Sequence, residues 1–390
     1  MAELKAIERP GPLKQKLNRI VHHPPVTIVL NTLFWTLILT CILPLASVVV
    51  LCKGIYDLYQ LYAAPSNQLK PKDDADTAEY AILITGCDSG IGKEAAVHLL
   101  SEGFVVFCGC LTQEAMKEYR LDSNAKPLLM DVTKQSQVDD AAMAVTQWLA
   151  GSDGNGKTRY FHALINNAGI GRGGLIDWIG IETFEMNMNV NCYGMIRTCK
   201  AFTPLLKKQV AEKGYKRSQI LNVVSMAGMV PSPCAFAPAY EVSKHAAHAF
   251  CDALRYEMQW FNVQVVTVNP TFHTTPLITN NTIDHLRSVI WDPLTKEKQE
   301  QYGRSFFDKW NLRAHTISTK GQWDVAVLAE DIARTVAMEH PPAQLLVGTD
   351  AKFGCILFIA IPQWIRHALA QRAIPIGVPA FTSKVQKAHG

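Results

Sequence analysis

The chain has 390 residues, 48% of them hydrophobic and only 18% charged, with a formal net charge of +4. That length suffices for one large domain or two small ones with ample core. No basic run is interleaved with aromatics, which excludes an electrostatic nucleic-acid binder, and the ten cysteines offer neither a disulfide framework nor zinc-ligand spacing.

The excess charge is local. Residues 1–24 form a basic tail in which Lys5, Arg9, Lys14, Lys16 and Arg19 face only Glu3 and Glu8. Residues 26–52 then carry no charge and are rich in Leu, Ile and Val, and about 20 apolar residues span a bilayer. A signal peptide has an apolar region of only about 7–15 residues, and a buried soluble helix is disfavoured because this stretch is apolar all round and begins before any domain. The stretch 25–53 is therefore read as an uncleaved single-pass anchor, with Pro44 a tolerated break. Asp57, Asp73, Asp74, Asp76 and Glu79 follow it, so the positive-inside rule favours a cytosolic N-terminus. Full spanning puts the body on the luminal side; a monotopic insertion leaves it cytosolic. Residues 54–78, with Pro65 and Pro71, read as a linker.

From Tyr80 short apolar runs alternate with helical periods. Seven candidate strands lie at 81–85, 105–110, 127–130, 162–166, 220–224, 263–268 and 345–348. The intervals are long enough for crossover helices, which implies a parallel sheet with helices on both faces. Cys108-Gly109-Cys110 falls in the second strand, and most of the cysteines read as small buried hydrophobes.

The first strand runs into Thr85-Gly86-Cys87-Asp88-Ser89-Gly90-Ile91-Gly92, and a helical stretch follows. Glycines there permit a tight turn and close approach of a pyrophosphate, whose charge meets a helix N-terminus. The second strand ends in Cys108-Gly109-Cys110-Leu111, without the acid that commonly holds an NAD ribose and without an arginine for a 2′-phosphate. Lys93 is the nearest cation; a solvated helix residue explains it equally well. Asp131, ending the third strand, suits an adenine edge or a helix cap. Asn166-Asn167-Ala168-Gly169 ends the fourth, with room for a ribose, although turn chemistry also selects Asn and Gly. Asn191 sits within a helical pattern, where asparagine is mildly unfavourable. Ser225 closes the fifth strand at the sheet edge where ligands bind in such folds.

Tyr240-Glu241-Val242-Ser243-Lys244 opens an amphipathic run reaching to Met258. On a helix Tyr240 and Lys244 share one face. A tyrosine with a pKa of about 10 is a poor base, and an adjacent ammonium favours the phenolate. The sequence thus predicts that Lys244 lowers the Tyr240 pKa.

With these residues in order, the chain resembles the short-chain dehydrogenase/reductases from about Tyr80 to Gly348. The resemblance implies a Rossmann-type, doubly wound α/β fold. It implies that Gly86, Ser89, Gly90, Ile91 and Gly92 cradle the cofactor diphosphate, and that Asp131, Asn167 and Gly169 border adenosine and its ribose. Ser225, Tyr240 and Lys244 match the catalytic serine, tyrosine and lysine, and Asn191 matches the asparagine of the proton relay. Tyr240 and Lys244 also face the nicotinamide half, with Pro270 and with Thr275, which matches the threonine that bonds the carboxamide. Two departures stand out: a lengthened interval from Ser225 to Tyr240, and Thr271 in place of the usual glycine. His273 is either a substrate contact or a loop residue without a role.

More narrowly, the stretch Thr85-Gly86-Cys87-Asp88-Ser89-Gly90-Ile91-Gly92, with Cys110-Leu111-Thr112 and Leu254-Arg255-Tyr256-Glu257-Met258, resembles the membrane-associated branch of retinol, hydroxysteroid and 3-hydroxybutyrate dehydrogenases. Gly348-Thr349-Asp350-Ala351-Lys352-Phe353 resembles the retinol members. That branch implies NAD as cofactor with NADP open, a lipophilic alcohol or its carbonyl as substrate, membrane lipid as partner, and a homodimer. It places the chain in the endoplasmic reticulum or, alternatively, the mitochondrial inner membrane. Residues 276–322, with Trp291, Tyr302, Phe306, Phe307 and Trp310, are too long for a plain connection and suggest a substrate lid or helices packed on the core. Residues 350–390 suit an apolar segment in a membrane surface, or a C-terminal core helix. Asn280-Asn281-Thr282 is a glycosylation sequon that matters only on the luminal side. A small hydroxy acid as substrate would need a cationic clamp, which is not assignable among Arg287, Lys296, Lys298 and Arg304. A nucleotide-binding scaffold without turnover is the third reading, and an intact Ser225, Tyr240 and Lys244 set argues against it.

Overall fold

The computed structural model describes residues 68–72, 77–151, 156–215, 218–230, 237–279, 282–319 and 322–348, with scattered positions from 351 to 381. The basic tail, the expected anchor, most of the linker, the sequon asparagines and most of 350–390 lie outside the described residues. Among those described, no helix is long and apolar enough to cross a membrane.

All seven expected strands form: β1 (Ala78–Thr85), β2 (Val105–Cys110), β3 (Ala125–Leu129), β4 (Thr158–Asn166), β5 (Gln219–Val223), β6 (Gln264–Pro270) and β7 (Gln344–Val347). They pair in parallel in the order β3-β2-β1-β4-β5-β6-β7. The parallel arrangement explains the continuous apolar runs, because helices cover both faces of such a sheet. Every residue of β2 is buried, as is nearly all of β1.

Helices α1 (Gly90–Ser101), α2 (Gln113–Glu118), α3 (Gln135–Ala150), α4 (Ile181–Met188), α5 (Met195–Lys213) and α6 (Pro238–Met258) make the early crossovers. On one face, Ala81, Leu83, Val105 and Phe107 meet Val138 and Val145 of α3, Phe202 and Leu206 of α5, and Cys251 and Leu254 of α6. Ile82 and Ile84 alternate to the other face, where α1 packs against α11 (Val325–Ala337). Arg255, in the α6 stretch that carried the family resemblance, is structural. Its guanidinium donates to the Val265 carbonyl, the Thr267 hydroxyl and the Ala343 carbonyl, tying α6 to the far side of the sheet.

Strand order reverses between β1 and β4. The chain leaves β1 outward through β2 and β3, then returns to β4 on the other side of β1. A crevice opens at the C-terminal ends of these two strands, where such sheets bind ligands.

The segment expected as a lid contains α7 (Pro276–Thr279), α8 (Ile283–Leu286), a π-helical turn (Arg287–Trp291), α9 (Lys296–Tyr302) and α10 (Arg304–Thr319). Its aromatics build a small core of their own: Ile290, Trp291, Phe307 and Trp310 close around Trp178 from the loop after β4. Trp178 meets Trp310 and Tyr302 edge-on at centroid distances of 5.0 and 5.2 Å. These rings hold the segment in place and do not form an open apolar wall.

Candidate active site

The glycine turn follows directly from β1. Gly86 and Gly90 adopt φ of 73° and 59°, a left-handed region that only glycine enters freely. Gly92 is needed for a different reason. A Cβ there would collide with the Gly86 carbonyl oxygen and the Asn167 amide nitrogen. Asn167 holds the turn together: its Nδ2 donates to the carbonyls of Thr85 and Gly86 at 3.0 and 3.1 Å. In return, the Thr85 hydroxyl accepts from the backbone N–H groups of Asn167 and Ala168, each at 3.0 Å. Asn167 thus braces the glycine turn from the end of β4.

Helix α1 begins at Gly90 with Ser89 at its N-cap. The Ser89 side chain makes no capping hydrogen bond, and no acid occupies the first turn. The first N–H groups of α1 therefore point toward the crevice with their positive field uncompensated. This cradle, closed to any Cβ and capped by an uncommitted hydroxyl, fits a diphosphate. The side chain of Thr275, from the loop after β6, lies over it; a Cβ on Gly90 would come within 3.3 Å of Thr275 Cβ and Cγ2. Pro270 ends β6 and is buried at the start of the same loop.

Asn191 is nearly fully buried and lies in a π-helical turn, Asn189–Gly194, rather than in the α-helix its surroundings suggested. Such turns often mark functional sites. Its side chain accepts from Ile170 N–H at 2.8 Å and donates to the Ile170 carbonyl and to Ser243 Oγ, both at 2.9 Å. Ser243 in turn donates to the Tyr240 carbonyl at 2.7 Å. The loop after β4 is thereby clamped to the start of α6. A Cβ on Gly169 would lie 3.3 Å from Asn191 Oδ1 and 3.6 Å from Lys244 Nζ, so all three meet at one point.

Helix α6 opens with Pro238, whose fixed φ and missing N–H suit a first turn. Its buried face includes the small residues Ala239, Ser243, Ala247 and Cys251, which let the helix lie close to the sheet. Gly228 has the same effect across the gap, because a Cβ there would sit 2.6 Å from the Lys244 carbonyl oxygen. The Ser225 hydroxyl accepts from Ala227 N–H at 3.1 Å and is hydrogen-bonded to Tyr240. Lys244, 4% exposed, donates to the Val223 carbonyl at 3.2 Å and lies 5.6 Å from the Tyr240 ring centre. The structure therefore brings Ser225, Tyr240, Lys244 and Asn191 together beside the glycine turn.

The electrostatics correct one expectation. Burial holds Tyr240 above the ordinary phenol value, and the Ser225 hydrogen bond, not the lysine, opposes it. Burial also pushes Lys244 down to about 8, against the nearby Cys251 and Cys192 thiols. Asp131 shows cap-like turn chemistry: its carboxylate accepts from the N–H and hydroxyl of Thr133 at 2.9 and 2.7 Å. Burial works to raise it, but Thr133 and Lys134 outweigh that and keep it below the usual carboxylate value. His273 is 3% exposed, with Nδ1 3.1 Å from the Thr271 carbonyl oxygen, which packs it within the loop after β6.

Sequence reasoning missed Ser243, although it lies three residues beyond Tyr240 on the same helix face. It also missed Asp88, quoted in the glycine turn without a role. Its carboxylate reaches the end of β2 and accepts from Leu111 N–H at 2.8 Å and Thr112 N–H at 3.1 Å.

Residues 80–285 match the short chain dehydrogenase family. A mitochondrial D-beta-hydroxybutyrate dehydrogenase of Mus musculus is 31% identical over 294 residues, which is 73% of this chain and 81% of that protein. Retinol dehydrogenase 16 of Rattus norvegicus is 29% identical over 291 residues, 74% of this chain and 86% of that protein. A short chain dehydrogenase from Burkholderia cenocepacia J2315, solved in complex with NADP, shares the fold. Its TM-score is 0.54 at 21% identity, covering 76% of this chain and 98% of the other. With the family matched across this sheet and the glycine cradle open to a dinucleotide, the chain belongs to the short-chain dehydrogenases and is an NAD(P)-dependent oxidoreductase.

Proposed function

We propose that the chain is a membrane-bound dehydrogenase that interconverts a lipophilic alcohol, of retinol or hydroxysteroid type, and its carbonyl. The observation that carries this reading is the convergence of Ser225, Tyr240 and Lys244 at the mouth of the β1/β4 crevice, under a lid with an apolar near edge. Leu277 of that lid lies against Gly171 beside the site, and both Leu277 and Ile283 keep more than a third of their surface exposed.

When bound, the nicotinamide supplies the hydride acceptor, or the hydride in the reverse direction. In the reducing direction Tyr240, held neutral by burial, gives its proton to the carbonyl oxygen; in the oxidising direction it takes the alcohol proton as phenolate. Ser225, fixed by Ala227 N–H, bonds the same substrate oxygen and sets its position. Lys244, down at about 8, is able to exchange a proton near physiological pH. Asn191 holds the Gly169–Ile170 backbone against α6, beside Lys244. Water exclusion falls to the lid, anchored by Phe307 and Trp310 on Trp178.

A small hydroxy acid is the second reading, favoured by the 31% identity to the hydroxybutyrate enzyme. It needs a cation for the carboxylate. Three of the lid cations are paired instead: Lys298 with Asp177 at 3.3 Å, Arg304 with Asp308 at 2.8 Å, and Arg287 with Asp284 and Asp292 at 3.8 Å. A clamp would fall to the exposed Lys296 of the lid or to the exposed Arg172 on the loop after β4.

Membrane attachment rests on the uncharged stretch 26–52 behind a basic tail. Retention in the pellet after alkaline carbonate extraction is the expected result, and release to the supernatant removes the anchor. For the substrate, detergent-solubilised protein is given NAD or NADP with retinol, estradiol, a 3-hydroxysteroid or 3-hydroxybutyrate at matched concentrations. Reduced nucleotide from a lipophilic alcohol supports the first reading. Turnover of hydroxybutyrate alone, lost in Lys296→Ala or in Arg172→Ala, replaces it with the second.

A further inference from the structure

In dinucleotide folds the adenosine ribose lies at the end of the second strand, where an acid accepts from its hydroxyls. Here β2 ends in Cys110-Leu111-Thr112, which has no acid. The carboxylate of Asp88, from the turn after β1, nevertheless occupies that place. Its Oδ2 accepts from Leu111 N–H at 2.8 Å, and its Oδ1 from Thr112 N–H and the Thr112 hydroxyl, both at 3.1 Å. Thr112 also caps α2 by accepting from Ala115 N–H at 3.2 Å, so the whole β2–α2 loop is fastened to this one carboxylate.

We propose that Asp88 is the residue that makes the enzyme select NAD over NADP, accepting a hydrogen bond from the ribose 2′-hydroxyl and turning away a 2′-phosphate. Three features act together. A carboxylate facing a phosphate dianion is repulsive. The Leu111 and Thr112 N–H groups, which would otherwise bond phosphate oxygens, are already taken. The lysines of the two flanking helices are engaged as well: Lys93 of α1 pairs with Glu118 at 2.5 Å and Lys117 of α2 with Glu114 at 2.7 Å. The same negative field reaches the neighbouring thiol, since burial and then Asp88 push Cys110 up to about 12.

The test is direct nucleotide binding, independent of any substrate. The full chain in detergent is titrated with NADH and with NADPH, following quenching of tryptophan fluorescence, and with AMP against adenosine 2′,5′-bisphosphate. The wild type is expected to prefer NADH by at least about 100-fold, because like charges in contact cost several kcal/mol. Asp88→Ser frees both N–H groups and should bring the ratio near unity, mainly by tightening NADPH. Asp88→Asn removes the charge while keeping an acceptor, and should lower the ratio with NADH affinity retained. Should both variants fail to fold, the wild-type ratio at low and high salt decides, since screening must shrink a charge-based preference. The proposal is overturned by a wild type that binds both nucleotides alike, by a ratio unchanged in the variants, or by a wild-type ratio insensitive to salt. Equal weakening of both nucleotides in Asp88→Ser also overturns it, leaving the carboxylate as a loop tie only.

Discussion

Replacing Lys244 with methionine should make the protein more stable and inactive. Lys244 is 4% exposed, and burial lowers its pKa from 10.5 to about 8. Each unit is worth about 1.4 kcal/mol, so carrying the charge costs the folded state on the order of 3 kcal/mol at pH 7. Between about 8 and 10.5 the unfolded chain binds more protons than the folded one, so this cost is relieved as pH rises. Below pH 8 it is present in full. Lys244→Met removes the buried charge and leaves the Val223 carbonyl without its 3.2 Å donor, a loss of about 1 kcal/mol. The variant should therefore gain roughly 2 kcal/mol at pH 7. The advantage should vanish or reverse at pH 10.5. Urea unfolding of the detergent-solubilised chain, read by tryptophan fluorescence at several pH values, measures the difference between the two proteins. A variant less stable than wild type at pH 7, with an unchanged pH dependence, would refute the buried-charge reasoning.

Other substitutions test separate parts of the site. Tyr240→Phe should lower kcat by about 10²–10⁴-fold as general acid–base catalysis is lost, while NADH affinity stays within a few-fold by fluorescence titration. Gly92→Ala drives a methyl into the Gly86 carbonyl and the Asn167 amide. NADH binding should weaken about tenfold or more, as overpacking of a rigid turn costs about 1–3 kcal/mol. Phe307→Ala empties the centre of the aromatic cluster under the lid, where Phe307 has no exposed surface. A loss of about 3–5 kcal/mol there should raise the substrate KM and open 276–322 to limited proteolysis. Unchanged proteolysis would mean that the cluster does not hold the lid.

The sheet was legible because parallel strands covered on both faces must read as unbroken apolar runs, and each of the seven runs became a strand within a few residues of its expected bounds. Ser225, Tyr240 and Lys244 were legible for geometric reasons: a strand end and a four-residue helical spacing place them regardless of detail. What the sequence hid depends on contacts between distant segments. Asp88 lies 23 positions before Leu111, and only the adjacency of β1 and β2 carries it to the end of the second strand. The lid aromatics were visible as composition, but their partner Trp178 belongs to another loop. The Tyr240 expectation was reversed because burial, which no local pattern encodes, outweighs a lysine aimed at the Val223 carbonyl. Ser243 was within reach of helical periodicity and was passed over between two more conspicuous neighbours.

The most direct test follows the hydride itself. Retinol or estradiol carrying deuterium on the carbinol carbon is incubated with the solubilised chain and NAD, and the reduced nucleotide is examined by mass spectrometry. The expected result is one deuterium per reduced nucleotide with wild type, and labelled nucleotide formed at least about 100-fold more slowly with Tyr240→Phe. Reduced nucleotide without label, or labelled nucleotide formed at equal rates by both proteins, would contradict hydride transfer at a lipophilic alcohol governed by Tyr240.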